Sequence, residues 1–124
     1  MYFNRAVHIE HILSQTPTAE ARAAFDKPAE YASYAEKLGN LTLLERTINT
    51  SVSNDMYDKK KPGYLHSQFL LTKSLVEKPR VGTNTQLNRA VDGLIQFDTW
   101  NSTDIEERQQ MLVRLAREVW QIDR

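Results

Sequence analysis

The chain has 124 residues, no cysteine, and sixteen Lys and Arg residues against sixteen Asp and Glu residues, so its formal net charge is zero. This length fits one domain with a modest core. Without cysteine the chain has no disulfide framework, thiolate metal site or cysteine nucleophile. No apolar run approaches the roughly 20 residues of a membrane helix, and no signal peptide is recognisable. Zero net charge argues against coating of nucleic acid by bulk electrostatics, but it leaves room for a local basic patch.

The first third of the chain predicts a short strand, two short helices and a second strand. Residues 5–10 alternate between apolar and polar side chains, which is typical of a strand. Residues 18–37 have the Ala, Glu and Lys content of a helix, which Pro28 should divide in two. Gly39 is expected to cap the second helix, and the apolar run 41–44 follows as the second strand.

The rest of the chain predicts helices. The apolar spacing favours one helix over 64–76 and another around 87–95. Thr103 and Glu106 have the spacing of a capping box for a final helix, whose apolar stripe includes Ile105, Leu112 and Leu115. The expected architecture is therefore a two-stranded hairpin with helices between and after its strands, and the helices must supply the core.

Three side chains able to bind metal or move protons lie within four residues at the end of the first predicted strand: His8, Glu10 and His11. On a regular strand His8 and Glu10 share a face and His11 lies on the other. A bend after Glu10 would bring His11 beside them and create a site for one divalent metal and one general base. The residues alone leave open an ordinary polar surface strand, and His66 is expected to be a surface or half-buried histidine.

Several asparagines surround the second predicted strand. Asn40 precedes it, and Asn49 and Asn54 follow it. Each one taken singly is explained as a turn or helix cap. The lysine run 59–61 and Arg46 flank the same region and could form a phosphate-facing patch, although such a run is usually a solvated loop.

Taken together, these motifs resemble the C-terminal nuclease domain of GmrSD-type modification-dependent restriction enzymes, which belongs to the HNH or His-Me finger nucleases. The resemblance covers almost the whole chain. It rests on the stretches 8–15 (HIEHILSQ) and 38–44 (LGNLTLL), on the later residues Asn49, Asn54, Tyr57, Lys60, Tyr64 and Ser67, and on Trp100, Ile105, Arg108, Leu112 and Trp120 in the helical tail. Ser14 departs from the family's usual proline, which affects the turn after His11 more than the chemistry.

The resemblance implies a fold and a set of site residues. The expected fold is α+β and mostly helical, with a ββα-metal hairpin-plus-helix core packed on additional helices, as a single HNH-like domain over 1–124 taken from a longer protein. His11 matches the general base and Glu10 the metal ligand before it. Asn40 matches the asparagine that holds the motif's loop and helps to orient the base. Asn49 matches a second metal ligand, and His8 lies where some relatives carry another polar residue of the metal site.

The resemblance also implies cofactor, substrate and setting. Mg²⁺ or Mn²⁺ suits oxygen ligands, and neutral imidazole suits a base near pH 7. Asn54 and Lys60 match family positions near the site, where Lys60 would hold a phosphate, and Arg46 is added as a flanking cation. The expected partners are DNA and an N-terminal NTPase-like sensor domain. No membrane partner is expected, and the setting is restriction or antiviral defence in the cytoplasm of a bacterium or archaeon.

Three alternatives accompany the nuclease hypothesis. A catalytically inactive HNH-like module would bind nucleic acid or protein, but the set of His11, Glu10, Asn40 and Asn49 is complete. A structural zinc site built on His8 and His11 lacks cysteine and a well-placed third ligand. A helical interaction domain without a site leaves the paired motifs unexplained.

Overall fold

A computed structural model describes residues 6–52, 56–78 and 93–120, with no side-chain description for 50–52 and 119–120. The fold is α+β and mostly helical, as the sequence predicts. Its elements are β1 (Val7–His11), α1 (Ala19–Ala24), α2 (Tyr31–Ala35), β2 (Leu41–Glu45), α3 (Arg46–Val52), α4 (Tyr57–Leu65), α5 (Leu70–Lys73) and α6 (Ser102–Trp120), with single 3₁₀ turns at Pro28–Glu30 and Leu38–Asn40.

The two strands form an antiparallel hairpin with one buried and one exposed face. Glu10 lies opposite Thr42 in the register, and both side chains are buried. Ile9 lies opposite Leu43, and these side chains are 65% and 45% exposed. The expected bend after Glu10 is wrong, because His11 still pairs with Leu41. The backbone pairing with β2 keeps β1 extended through His11.

The buried face of the hairpin packs against the helices. The core is rich in tyrosine, so many of its side chains carry a hydroxyl that needs a partner. The buried hydrophobic cluster contains Ile12, Phe25, Tyr31, Tyr34, Ala35, Leu44, Tyr57, Tyr64, Leu75, Phe97, Trp100 and Ile105. Within the described ranges, no helix is long and apolar enough to cross a membrane.

Between the strands, Pro28 separates two short helices as predicted. It begins a 3₁₀ turn, a position that suits its fixed φ. The prediction that Gly39 caps the second helix is wrong, because α2 already ends at Ala35. A Cβ at Gly39 would lie 2.1 Å from Ile105 O, so glycine is needed here for the close approach of α6.

The predicted helix over 64–76 is wrong in its bounds. Instead, α4 begins at Tyr57 and ends at Leu65, and the shorter α5 follows. The buried face of α4 consists of Tyr57, Lys60 and Tyr64, at helical spacing. Because these buried residues carry polar groups, the spacing of apolar side chains alone does not show the helical period of α4. Most of the helix expected around 87–95 lies outside the described residues, and the chain at 94–95 is not helical.

The last helix is confirmed, but its cap is not the predicted one. Asp104 N donates to Asn101 Oδ1 at 3.1 Å, and Asn101 N donates to Asp104 Oδ2 at 2.9 Å. This reciprocal pair is the capping box of α6. The box predicted from Thr103 is wrong because Thr103 already lies inside the helix, and Glu106 accepts a hydrogen bond from Tyr34 instead.

Candidate functional site

The second strand leads directly into α3, which brings Asn49 back to the first strand. Asn49 Nδ2 lies 2.8 Å from His8 Nδ1, although the two residues are 41 positions apart. Both side chains are half-buried. Two residues predicted for one site are thus in contact.

Glu10 lies on the same strand face as His8, two residues further along β1. Its carboxylate is 4% exposed, and one oxygen receives two hydrogen bonds from α4. Lys60 Nζ donates to Glu10 Oε2 at 2.9 Å, and Tyr64 Oη donates to the same oxygen at 2.6 Å. No hydrogen bond from the described residues reaches Glu10 Oε1.

Lys60 is fully buried, unlike the solvated lysine that its sequence context suggests. Its ammonium also donates to His11 O at 2.9 Å and to Ile12 O at 3.1 Å, so all three of its hydrogens are used. The rest of the lysine run is different: Lys59 is exposed, and Lys61 Nζ donates to Asp98 O. Lys60 therefore holds the end of β1 and does not face the solvent, from which a phosphate would approach.

His11 contacts another part of the molecule than His8 does. Its Nε2 atom lies 3.8 Å from Glu36 Oε2, and the Glu36 side chain is 63% exposed. Glu36 also accepts a hydrogen bond from Gln15 Nε2 at 2.9 Å. Because β1 stays extended, His8 and His11 lie on opposite faces of the strand. The structure does not bring the two imidazoles together.

Asn40 is fully buried and ties the segment after β1 to two other elements. Its Oδ1 accepts from Leu13 N at 2.7 Å and from Trp100 Nε1 at 2.9 Å. Its Nδ2 donates to Leu13 O at 3.0 Å and to Ala35 O at 2.8 Å. These are the contacts that a residue holding the loop behind His11 would make.

The two remaining predicted residues are less informative. Arg46 is exposed at the start of α3, where its backbone N–H donates to Ala6 O at 2.8 Å and closes the hairpin. Asn54 lies outside the described residues, so its predicted role is not placed.

Arg108 is a buried cation. In the sequence it was notable only because it matches a position in the helical tail of the family. Its Nη1 donates to Gly39 O at 2.9 Å and to Leu41 O at 2.6 Å, the carbonyls on either side of Asn40. Its Nε is buried and has no hydrogen-bond partner among the residues that the structure describes. Burial lowers the pKa of Arg108 to about 10, so the guanidinium stays charged at neutral pH. The residue braces the turn that carries Asn40.

The donor atoms around β1 fit a hard cation better than zinc. Glu10 and Asn49 offer oxygen, and His8 lies beside Asn49. Among the described residues, no group of three or more His, Cys, Asp and Glu side chains is placed to hold a metal. Mg²⁺ keeps several waters and needs only one or two protein ligands beside a substrate phosphate. A structural zinc site needs four ligands, which His8 and His11 on opposite faces do not supply.

A cavity of about 180 Å³ lies beside the Ile12–Ser14 segment, with Phe25, Tyr57 and Trp100 among its lining residues. None of the predicted site residues that the structure describes lines it. This cavity is therefore not formed by the candidate site residues that the structure describes.

The spaced motifs and this arrangement agree with a comparison against family models. The model for the C-terminal domain of GmrSD restriction endonucleases matches residues 2–115. The chain belongs to this family. The resemblance drawn from the sequence is thereby confirmed. Searches of curated proteins and of solved structures found no match.

Membership of the GmrSD C-terminal domain family gives the chain a role within restriction endonucleases. It supports a nuclease, and hence a hydrolase, in general, with DNA as the implied substrate. The family match by itself assigns no residue to a step of the reaction.

Proposed function

We propose that the chain is a metal-dependent DNA endonuclease domain of the HNH type, with a ββα-metal core formed by β1, β2 and α3. The observation that supports it best is the contact between Asn49 on α3 and His8 on β1. It joins the two motifs on the strand face that also carries Glu10. In this proposal Glu10 and Asn49, assisted by His8, hold one Mg²⁺ or Mn²⁺.

The reaction is the hydrolysis of a phosphodiester. The oxygen of a water attacks phosphorus, and the proton of that water passes to the imidazole of His11. The bond from phosphorus to the leaving oxygen breaks, and this oxygen takes a proton from solvent, to which the imidazolium later returns its own. A bound divalent cation would supply charge stabilisation at the phosphoryl oxygens. Glu36 Oε2 lies 3.8 Å from His11 Nε2 and contacts the imidazole ring. Asn40 keeps the segment after His11 in place through its two hydrogen bonds to Leu13.

In this proposal the exposed cations near the hairpin contact the DNA substrate. Arg46 and Lys59 are exposed, and we assign them, together with Asn54, to the phosphate backbone. Lys60 is assigned to positioning because it is buried. With zero net charge the chain has little bulk attraction to DNA, which fits a catalytic module whose targeting comes from an N-terminal NTPase-like sensor domain.

Hydrolysis of bis(4-nitrophenyl) phosphate tests this function without requiring any particular base or modification. The parent protein is expected to hydrolyse it with Mn²⁺ or Mg²⁺ and not with EDTA, and to nick supercoiled plasmid under the same conditions. Glu10→Gln should lose hydrolysis by about 100-fold or more. Glu107→Gln, which removes an exposed carboxylate on α6, should match the parent. Hydrolysis that persists in EDTA, or that Glu10→Gln retains, would contradict the metal assignment.

One observation favours a second candidate, a catalytically inactive domain that binds nucleic acid. The carboxylate of Glu10 already pairs with Lys60, and His11 contacts Glu36 instead of the His8 and Asn49 pair. Such a module would shift DNA in a gel equally well with Mg²⁺ and with EDTA, and would hydrolyse neither substrate. Cation-dependent hydrolysis excludes it.

A further inference from the structure

One buried ammonium contacts three consecutive residues at the end of β1. Lys60 Nζ donates to the Glu10 side chain and to the backbone carbonyls of His11 and Ile12. Lys60 has no exposed surface, and burial of a charge is unfavourable unless the charge is paired and hydrogen-bonded. This lysine therefore fixes both the side chain of Glu10 and the backbone on which His11 sits.

Tyr64 lies one helical turn after Lys60 and acts on the same carboxylate oxygen. Its hydroxyl donates to Glu10 Oε2 at 2.6 Å, and its ring is fully buried. Glu10 Oε2 therefore accepts hydrogen bonds from both Lys60 and Tyr64.

We propose that Lys60 and Tyr64 are positioning residues that occupy Glu10 Oε2 and leave Oε1 as the single carboxylate oxygen for a divalent cation. The inference rests on the proposed function, because it assumes that Glu10 is a metal ligand. It assigns α4 a role in setting how tightly the cation binds.

The two donors weaken cation binding. Each hydrogen bond to Oε2 draws negative charge away from the carboxylate, and the buried ammonium repels a second positive charge nearby. A carboxylate released from Tyr64 would keep only the hydrogen bond from Lys60 on Oε2 and would offer more negative charge to a cation. Removal of the Tyr64 hydroxyl should therefore tighten cation binding, whereas a purely structural role predicts unchanged or weaker binding.

Mn²⁺ binding, followed by electron paramagnetic resonance of the free ion, tests the proposal on the whole chain. Tyr64→Phe is expected to bind Mn²⁺ about tenfold more tightly than the parent, the effect of one hydrogen bond to a charged group. The Mn²⁺ concentration for half-maximal hydrolysis should fall by the same factor. Tyr57→Phe is the matched control, because Tyr57 is buried on the same helix and donates to Leu75 O and Phe97 O instead of Glu10.

The possible outcomes distinguish the failure of this proposal from the failure of the proposed nuclease function. Tighter binding by Tyr64→Phe but not by Tyr57→Phe supports it. Cation-dependent hydrolysis by the parent with equal or weaker Mn²⁺ binding by Tyr64→Phe overturns the positioning role and leaves the nuclease intact. A parent that binds no Mn²⁺ overturns both. Lys60→Met would leave the carboxylate of Glu10 buried without its cation and can unfold the chain, so Tyr64→Phe is the variant that decides.

Discussion

Asn49 on α3 lies 2.8 Å from His8 on β1, and this contact joins the two strands and the following helix around one group of polar side chains. Both side chains are polar and half-buried. The proposed metal site accounts for this contact.

Asn49→Ala is expected to weaken cation binding by about tenfold and to leave the fold intact, because a half-buried amide oxygen contributes more to a metal than to the core. Calorimetric titration with Mn²⁺ and thermal unfolding measure the two effects separately. Asn101→Ala is the matched control: it removes the capping amide of α6, so it should cost about 1 kcal/mol of stability with no change in the titration. An unchanged titration for Asn49→Ala would reduce that residue to a structural role.

Arg108 should be one of the most sensitive positions for folding. Arg108→Ala removes both donors to Gly39 O and Leu41 O and leaves a cavity, so the free energy of unfolding should fall by about 3 kcal/mol. Urea denaturation at neutral pH measures this. Arg114→Ala, an exposed arginine on the same helix, should stay within about 0.5 kcal/mol of the parent. Equal effects at the two positions would show that Arg108 does not brace the Asn40 turn.

The start of α6 should make stability depend on pH. Asp26 Oδ1 accepts from Ser102 N at 2.9 Å, and Oδ2 accepts from Ser102 Oγ at 2.5 Å. Burial alone would raise the pKa of Asp26, but the hydrogen bonds from Ser102 outweigh it and hold the pKa below the ordinary value for an aspartate. A pKa lowered by folding contributes stability above the unfolded pKa, and that stability is lost as the pH falls through the folded pKa.

Asp26→Asn should therefore be less stable than the parent at pH 7, and the difference should close below pH about 4. The carboxylate is mostly exposed to solvent, so we expect about 1 kcal/mol, or about 4 °C in Tm. Thermal unfolding at several pH values measures the difference, with Glu107→Gln as a control on the exposed face of α6. A difference that persists undiminished at pH 3 would assign the effect to packing and not to charge.

The hairpin could be predicted because its signal is local. The alternation of residues 5–10 and the apolar run 41–44 each predict a strand, and both strands are present. The face that is buried carries Glu10 and Thr42, which the apolar pattern does not predict. The end of β1 could not be predicted, since pairing of His11 with Leu41 depends on a strand 30 residues away in sequence. Alternation alone does not say where a partner strand stops.

The helical part shows why polar residues mislead a reading of hydrophobic periodicity. Lys60 and Arg108 occupy the buried faces of α4 and α6, where the pattern expects apolar side chains. Each is stabilised by acceptors from the distant β1 or the Asn40 turn, which are invisible before the chain is folded. Likewise, the local sequence is compatible with a capping box that begins at Asn101 and with one that begins at Thr103. Contacts with distant parts of the chain decide between them.

The residue types of the candidate site could be predicted from the sequence, but the contacts between these residues could not. Residue types alone single out His8 and Glu10, the family resemblance adds the roles of Asn40 and Asn49, and the structure adds that His8 and Asn49 touch. The buried role of Lys60 was not found, although its i, i+4 spacing with Tyr64 places both on one helix face. The geometry around Glu10 thus depends on a helix that apolar periodicity did not reveal.

We propose His11 as the base of a cation-dependent phosphodiesterase, and the most direct measurement of that role compares two histidine variants. His11→Ala and His66→Ala are assayed with bis(4-nitrophenyl) phosphate and supercoiled plasmid at saturating Mn²⁺, with Mn²⁺ binding measured alongside. His66 is exposed at the end of α4 and makes a matched control. We expect His11→Ala to lose about 100-fold or more in kcat while still binding Mn²⁺, and His66→Ala to match the parent. Equal turnover by His11→Ala and the parent would contradict the account.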